Sequence, residues 1–301
     1  MTEPAKQPLP DVDLTVSPEV TSFLDPVTGT ISYIVKDPAT DACAVIDAVM
    51  EFDVVAGRLA FDLAQSMVDY ITAHAYRLEW IIETHVHADH LSAAPWIQQK
   101  LGGKIGIGAG IREVQELFGK VFNEGTDFQR DGSQFDQLFN DGDTWQLGAI
   151  TATAIHTPGH TPACMTHLLG DSAFVGDTLF MPDTGTGRAD FPGGDARTLY
   201  HSMRRILSLP EETRVFMCHD YGNDSRDVAY ESTVGEQRRS NVHIHDGVTE
   251  DEFVALREEK DRKLSLPRLI IPSLQVNMRA GEVPEDASGN PVIKIPVNAF
   301  N

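Results

Sequence analysis

The fold of this chain is decided by Thr84-His85-Val86-His87-Ala88-Asp89-His90, a segment that directly follows a predicted buried strand. It places four potential metal ligands within six residues: His85, His87, Asp89 and His90. A metal ion needs several donor atoms that converge within about 2.0–2.2 Å of it. A turn at the end of a strand can aim alternate side chains into one pocket, whereas 11 histidines in 301 residues rarely cluster in this way by chance. The segment therefore predicts a metal site and not a solvated histidine-rich turn.

Three later segments share one arrangement, in which a short predicted strand ends in a polar donor. The donors are His160 after Thr157-Pro158-Gly159, Asp177 after Phe174-Val175-Gly176, and His219 after Phe216-Met217-Cys218. A single such residue is most often hydrogen-bonded and structural. In combination with the first cluster, and in this order, the three donors favour one shared metal site.

Strand and helix patterns that alternate along the chain indicate an α/β layered architecture. Turn residues at 37–41 join strands at 31–36 and 42–47 into a predicted hairpin. The spacing predicts further strands over 78–84, 104–108, 145–155, 165–180 and 215–218. It predicts helices over 59–74, 93–101, 111–121, 196–209 and 247–263. We expect a less regular, phenylalanine-rich stretch around 121–140, and short extended runs in the proline-containing tail 264–301.

Composition and charge exclude several classes of protein. The chain has 24 Lys and Arg against 45 Asp and Glu, a net charge of −21, which disfavours binding to nucleic acids or to anionic membranes. An anionic small molecule stays possible, because it needs only a few local cations. Only three cysteines occur, without a CxxC, so we expect no disulfide framework and a reducing compartment. No signal-peptide pattern and no membrane-spanning apolar run is evident, which predicts a cytoplasmic protein.

The chain carries no linker that divides it with confidence into separate domains. The proline-rich, polar start predicts a flexible N-terminal arm over residues 1–20. We expect residues 21–301 to form a single domain, with a C-terminal extension from about residue 247.

The ordered donors resemble the metal-binding motif of the metallo-β-lactamase fold superfamily, over about residues 20–245. This resemblance implies an αββα sandwich, that is, two mixed β-sheets flanked by helices, with the metal site at one edge between the sheets. It does not imply antibiotic hydrolysis, because the superfamily includes both hydrolases and oxidoreductases.

Two branches of the superfamily compete. A dinuclear-zinc hydrolase, similar to glyoxalase II or a lactonase, would use the whole donor set to activate a bridging water. The resemblance then implies one zinc on His85, His87 and His160, a second on Asp89, His90 and His219, and Asp177 as the bridge. All of these residues are present, so the ligand inventory alone leaves this alternative open.

The other branch is a mononuclear iron dioxygenase. Here the resemblance implies one Fe(II) per chain on His85, His160 and Asp177, a 2-His-1-carboxylate triad. The remaining donors, His87, Asp89, His90 and His219, would orient these ligands by hydrogen bonds.

Four short stretches are similar to those of persulfide dioxygenases, the group related to the mitochondrial sulfide-oxidation enzyme, and they favour the second branch. They are the Gly-rich loop 184–191, His219-Asp220-Tyr221, the stretch 236–241 and Asn277-Met278-Arg279. The tail also lacks the Lys/Arg-rich glutathione domain of glyoxalase II. A non-catalytic metal-binding or redox-sensing protein is a third hypothesis, which the complete ligand set disfavours.

The persulfide dioxygenase resemblance implies oxidation of glutathione persulfide with dioxygen and water to sulfite and glutathione. The partners are then a small-molecule thiol persulfide and O2, with a homodimer common in the family. Glutathione carries two carboxylates, which need cationic or hydroxyl partners. We expect Arg188, Tyr221 and Arg279 to bind the substrate.

Overall fold

The structure is a computed structural model that describes residues 8–299. Within this range the chain forms fifteen strands: β1 (Glu19–Leu24), β2 (Ile31–Lys36), β3 (Ala42–Ile46), β4 (Val49–Asp53), β5 (Arg58–Ala60), β6 (Arg77–Ile82), β7 (Leu91–Ser92), β8 (Lys104–Gly108), β9 (Gln137–Phe139), β10 (Thr144–Leu147), β11 (Ile150–His156), β12 (Met165–Leu169), β13 (Ser172–Phe174), β14 (Arg214–Phe216) and β15 (Glu231–Thr233). It also forms seven α-helices: α1 (Asp62–Ala73), α2 (Ala94–Leu101), α3 (Ile111–Val121), α4 (Ala196–Ile206), α5 (Val234–Ser240), α6 (Glu250–Asp261) and α7 (Ile270–Asn277).

The first sheet has the strand order β1-β2-β3-β6-β8-β9 and is mixed. Strands β1 to β3 pair antiparallel, whereas β3, β6, β8 and β9 are parallel neighbours. Successive side chains of a strand point to opposite faces of the sheet, and on this sheet both faces are packed in apolar cores. Tyr33 and Val35 of β2 pack between the two main sheets, while Ile34 between them packs on the opposite face.

The second sheet has the order β10-β11-β12-β13-β14-β15 and is antiparallel except for the β13–β14 pair. Its inner face meets the first sheet in a shared apolar core. Within that core the Tyr33 ring meets the rings of Phe174 and Phe216 edge-on, at centroid distances of 5.5 and 5.6 Å. Burying one such side chain contributes roughly 1.5–3 kcal/mol, so this core holds the two sheets together.

Helices cover both outer faces. Met67 of α1, Ile97 of α2, Val114 of α3 and Leu274 of α7 pack in the cluster on the outer face of the first sheet. Met203 of α4 and Phe253 of α6 pack in the cluster on the second. The predicted αββα architecture with two mixed sheets is therefore confirmed, as is the 31–47 hairpin. Among residues 8–299, no helix has both the length and the apolar character that crossing a membrane requires.

The C-terminal tail differs from the sequence prediction. We expected short extended runs after residue 264, but residues 270–277 form α7 and pack in the main core. The prolines of this tail favoured extended structure over a helix, yet Pro272 is the third residue of α7. A backbone N–H at that position has no helical partner in any case, so proline is tolerated.

The expected N-terminal arm is only partly described. Residues 1–7 lie outside the described residues. At residue 16, the Val16 carbonyl accepts a hydrogen bond from the Asp171 N–H, and β1 begins at Glu19. The phenylalanine-rich stretch supplies core residues, since Phe122 and Phe135 are buried under the first sheet and Phe139 lies between the sheets.

The strand directions explain why the predicted donors meet. Strands β11, β13 and β14 run in the same direction in the second sheet, so their carboxyl ends lie at one edge. His160, Asp177 and His219 follow these three ends. The His-rich segment follows β6 of the facing sheet and reaches the same edge.

Candidate metal centre

The structure brings His85, His160 and Asp177 together at this edge. One ligand atom from each lies within 4.8 Å of the other two. Asp177 Oδ2 lies 3.5 Å from His160 Nε2 and 4.0 Å from His85 Nε2. All three residues are buried, at 1%, 3% and 8% exposure for His85, His160 and Asp177. The arrangement leaves space for one ion that all three side chains can reach.

Hydrogen bonds fix which nitrogen of each histidine faces this space. Nδ1 of His160 lies 2.7 Å from the Arg188 carbonyl, which can only accept, so Nδ1 carries the proton. The Thr84 hydroxyl donates to Asp47, so Nδ1 of His85 donates to that hydroxyl at 3.0 Å. Each ring therefore keeps its Nε2 lone pair free for a metal, as ligating histidines do.

Buried atoms without partners support the same assignment. Within residues 8–299, His85 Nε2 and Asp177 Oδ1 are among the buried atoms that accept no hydrogen bond, together with one ring nitrogen each of the neighbouring His87, His90 and His219. Burial lowers the pKa of His85 well below its ordinary value, and the neighbouring His87 and His160 lower it further. A neutral imidazole is the form that binds metals. Buried polar atoms are almost always satisfied, so these orphans fit a bound cation.

His87 is held by carboxylates at the back of the site. Its Nε2 lies 3.0 Å from Asp47 Oδ1 and 3.4 Å from Glu83 Oε2. Burial alone would lower the pKa of His87, but the charge and hydrogen bond of Asp47 outweigh it and raise the pKa well above the ordinary value. Asp47 also accepts from the N–H and hydroxyl of Thr84, and it has a φ of 54°.

Asp89, His90 and His219 form a hydrogen-bonded group beside the triad. Asp89 Oδ2 lies 3.1 Å from His90 Nδ1 and 3.4 Å from His219 Nε2, and it accepts from the Thr30 hydroxyl. Burial raises the pKa of Asp89, but His219 and His90 outweigh it and hold the pKa well below the ordinary value. His219 also lies 3.5 Å from Asp177 Oδ1, so the group adjoins the triad directly.

Four sets of three residues in the described range bring ligand atoms this close together. They are His85–His160–Asp177, Asp47–His87–Cys218, His87–Asp89–His90 and Asp177–Cys218–His219. Burial raises the pKa of the Cys218 thiol, which makes it a poor ligand in its ordinary protonated state. Among residues 8–299, neither set that the dinuclear alternative requires, His85–His87–His160 or Asp89–His90–His219, converges in this way.

A cavity of about 450 Å³ opens above the triad. His160, Asp177 and His219 line its floor, and two of the predicted substrate residues, Arg188 and Tyr221, line its walls. Tyr221 is 69% exposed, and its ring lies parallel to the His219 ring at 6.3 Å.

The guanidinium of Arg188 is already engaged. It donates to both carboxylate oxygens of Asp190, at 2.6 and 2.8 Å, and to the Ser265 carbonyl at 2.8 Å. It also stacks over the Phe191 ring. Arg188 therefore shapes the cavity wall and fixes the carbonyl that orients His160.

Arg279 does not reach this cavity. Its guanidinium pairs with the buried Glu124 at 2.8 Å, donates to the Gln275 carbonyl and stacks on Phe128. The expected substrate contact at Arg279 is thus corrected. The residue joins the C-terminal helix to the phenylalanine-rich stretch.

Sequence reasoning missed two residues that support the site. Asp47 follows β3, whose parallel neighbour β6 carries the His-rich segment, so a carboxylate directly after a buried strand was the available signal. The Asn277 side chain accepts from the Ser92 N–H and donates to the His87 and His90 carbonyls. No local pattern shows this contact, because 185 residues separate Ser92 from Asn277.

Comparison with known proteins gives one family and relatives with different names. The family model described as the metallo-beta-lactamase superfamily matches residues 25–219. A protein of Burkholderia pseudomallei (strain 1710b) named as a probable metallo-hydrolase is 52% identical over 292 residues, covering 93% of this chain and 99% of that protein. Glyoxylase B2 of Dictyostelium discoideum is 45% identical, covering 93% of this chain and 96% of that protein.

Two further relatives bear the name ETHE1. The human mitochondrial persulfide dioxygenase ETHE1 is 30% identical over 262 residues, covering 86% of this chain and 87% of that protein. The crystal structure of ETHE1 from Myxococcus xanthus superposes with a TM-score of 0.70 at 26% identity, covering 88% of this chain and 100% of that one. Some relatives are longer: this chain spans 65% of the beta-lactamase hydrolase-like protein of Agrobacterium fabrum.

Proposed function

The chain belongs to the metallo-beta-lactamase superfamily, and from this premise we propose that it is an Fe(II)-dependent persulfide dioxygenase. Its substrate is glutathione persulfide, which reacts with dioxygen and water to give sulfite and glutathione. The sulfur–sulfur bond of the persulfide breaks, the terminal sulfur is oxidised to sulfite, and dioxygen is reduced. The carrier leaves as a thiol.

The observation that carries this proposal is the convergence of His85, His160 and Asp177. Two imidazoles and one carboxylate that share a pocket and leave one side open are the ligand set of mononuclear non-haem iron oxygenases. The Nε2 atoms of His85 and His160, whose Nδ1 atoms are hydrogen-bonded elsewhere, fit a bound divalent cation. So does Asp177 Oδ1, which accepts no hydrogen bond. An Fe(II) ion held there supplies the redox chemistry with dioxygen that amino-acid side chains lack.

The chain's own residues orient the ligands and admit the substrate. The Arg188 carbonyl fixes the tautomer of His160, and the Thr84–Asp47 pair fixes that of His85. Burial of the triad restricts water, while the cavity above it is wide enough for a small thiol. The Tyr221 ring forms part of the cavity wall and presents a hydroxyl to an incoming polar group.

The relatives support this proposal in part. The human protein named as a persulfide dioxygenase is 30% identical to this chain over most of both lengths. The Myxococcus xanthus ETHE1 structure shares the fold along its whole length.

A dinuclear-zinc thioester hydrolase or lactonase is the second candidate. The observations in its favour are the 45% identity to the protein named Glyoxylase B2 and the presence of Asp89, His90 and His219 beside the triad. In that case the bridging position of Asp177 would serve two metals and activate a water for hydrolysis.

Metal content separates the two candidates. We expect the wild-type protein to bind one iron per chain and the His85→Ala and Asp177→Ala variants to bind none. The His219→Ala variant keeps most of its iron, because His219 lies outside the triad. A wild-type stoichiometry of two metals, halved in His219→Ala, would contradict the proposal and favour the hydrolase.

A further inference from the structure

A second cavity of about 330 Å³ adjoins the one above the triad. The two cavities share four lining residues, Val27, Thr28, Arg268 and Leu269, and His90 lies in the wall of the second. The pair therefore forms one trough that continues outward from the metal centre, with Arg268 at the junction.

The acidic side chains in the second cavity are occupied by the protein itself. Asp25 accepts three hydrogen bonds from the turn that follows it. Glu51 accepts two backbone N–H groups at the start of α1. Asp53 accepts two backbone N–H groups of its own turn. These carboxylates satisfy local backbone donors, so they are not arranged to bind a cationic ligand.

The cations that line the trough differ in how they are paired. Arg188 and Arg257 form ion pairs with Asp190 and Asp261, and Arg58 reaches Asp53 at 3.5 Å. For Arg268, the part of the chain between residues 8 and 299 supplies neither a hydrogen bond nor an ion pair within 4 Å. Its charge does reach Asp53, whose pKa is lowered by the N–H groups of its own turn and by Arg58 and Arg268. An exposed guanidinium with all its donors free, in a concave site, suits a planar anion that it can bind through two parallel hydrogen bonds.

We propose that Arg268 binds a carboxylate of the thiol substrate at the junction of the two cavities and so selects for an anionic carrier. The inference rests on the proposed function for the position of the sulfur at the triad, and it extends that function by naming the specificity residue. The part of the carrier remote from sulfur lies in the second cavity, whose walls include Val49, Met50 and Phe52. Arg268 thus takes the role that the sequence suggested for Arg279.

Binding of glutathione and turnover of glutathione persulfide test this role in parallel. Calorimetric titration of the iron-loaded protein gives the Kd of glutathione and of glutathione diethyl ester, in which both carboxylates are masked. We expect Arg268→Gln to raise the Kd of glutathione, and the KM of its persulfide, about tenfold to a hundredfold with little change in kcat. The same substitution leaves the Kd of the diethyl ester unchanged, because the interaction is already lost.

Arg262→Gln is the matched control, since Arg262 is exposed on the same segment and lines neither cavity; it should bind glutathione as the wild type does. The inference is overturned if Arg268→Gln binds glutathione with the same Kd as the wild type. It is also overturned if the wild-type protein binds glutathione and its diethyl ester equally well, or if the wild-type protein binds neither of them. Failure of the dioxygenase proposal is a separate result: no oxygen uptake, with the Arg268-dependent binding of glutathione intact.

Discussion

Replacing Asn277 by alanine tests how the C-terminal helix holds the metal loop. The Asn277 side chain is 5% exposed and makes three hydrogen bonds, at 2.8, 2.9 and 2.8 Å, to the backbone of Ser92, His87 and His90. Alanine removes all three and leaves one N–H and two carbonyl groups without a partner in a buried site.

The expected loss follows from these three groups. Each buried polar group left unpaired costs about 1–3 kcal/mol. Water that enters the space left by the amide recovers part of this, so we expect Asn277→Ala to lower the free energy of unfolding by about 3–5 kcal/mol. The loop over residues 87–90 also loses its anchor, so bound metal should decrease.

Urea unfolding and metal analysis of the purified variant check both effects. Gln99→Ala is the matched control, because Gln99 is an exposed amide on α2, and it should change stability by less than about 0.5 kcal/mol. Asn277→Asp keeps the acceptor for Ser92 but turns a carboxylate toward two carbonyl oxygens, so it should also destabilise at neutral pH. A loss below about 1 kcal/mol in Asn277→Ala, with full metal content, would refute this reasoning.

Two further predictions concern the Gly-rich loop and a buried histidine. A Cβ on Gly187 would lie 2.1 Å from the Asp177 carbonyl oxygen, so Gly187→Ala should displace the Asp177 backbone and reduce the amount of bound metal. Gly125→Ala is the control and should keep its metal, because a Cβ on Gly125 would have no neighbour within 4 Å. Equal metal content in the two variants would contradict this prediction. Burial, Lys260 and Arg257 lower the pKa of His243 from 6.5 to about 3. Between these two pH values the unfolded chain binds a proton that the folded chain does not. The free energy of unfolding therefore decreases as the pH falls from 6.5 to about 3. Chemical denaturation at several pH values should show that His243→Gln removes up to about 1.4 kcal/mol per pH unit of this dependence, while the exposed His245→Gln keeps it.

The sequence was sufficient for the architecture and for which residues gather at the candidate metal site. The short β-type runs of β2 and β3 around the turn at 37–41, and the glycines at 102 and 103 that follow α2, predict real elements, because these strands and this helix are locally consistent with their final environment. His85, His160 and Asp177 were predictable because each donor directly follows a strand and the motif has a fixed order.

The residues that hold the candidate metal site in place, and the pairing of its nearby arginines, were not predictable in the same way. Asn277 acts through contacts with residues far away in sequence. Its helix was not predicted, because Pro272 lies inside it. Arg279 was expected to bind the substrate because of its charge and the resemblance of the stretch that contains it, but tertiary packing pairs it with Glu124. Which arginine stays free depends on which carboxylates the fold places beside each one, and a linear pattern does not contain that information.

The most direct test of the proposed function is oxygen consumption by the anaerobically Fe(II)-loaded protein after addition of glutathione persulfide, with glutathione alone as the control. The account predicts rapid uptake that depends on the persulfide, with one sulfite released for each dioxygen consumed. Absence of uptake by protein confirmed to hold one iron per chain would contradict it, and thioester or lactone hydrolysis by the zinc-loaded protein would then assign the chain to the dinuclear branch.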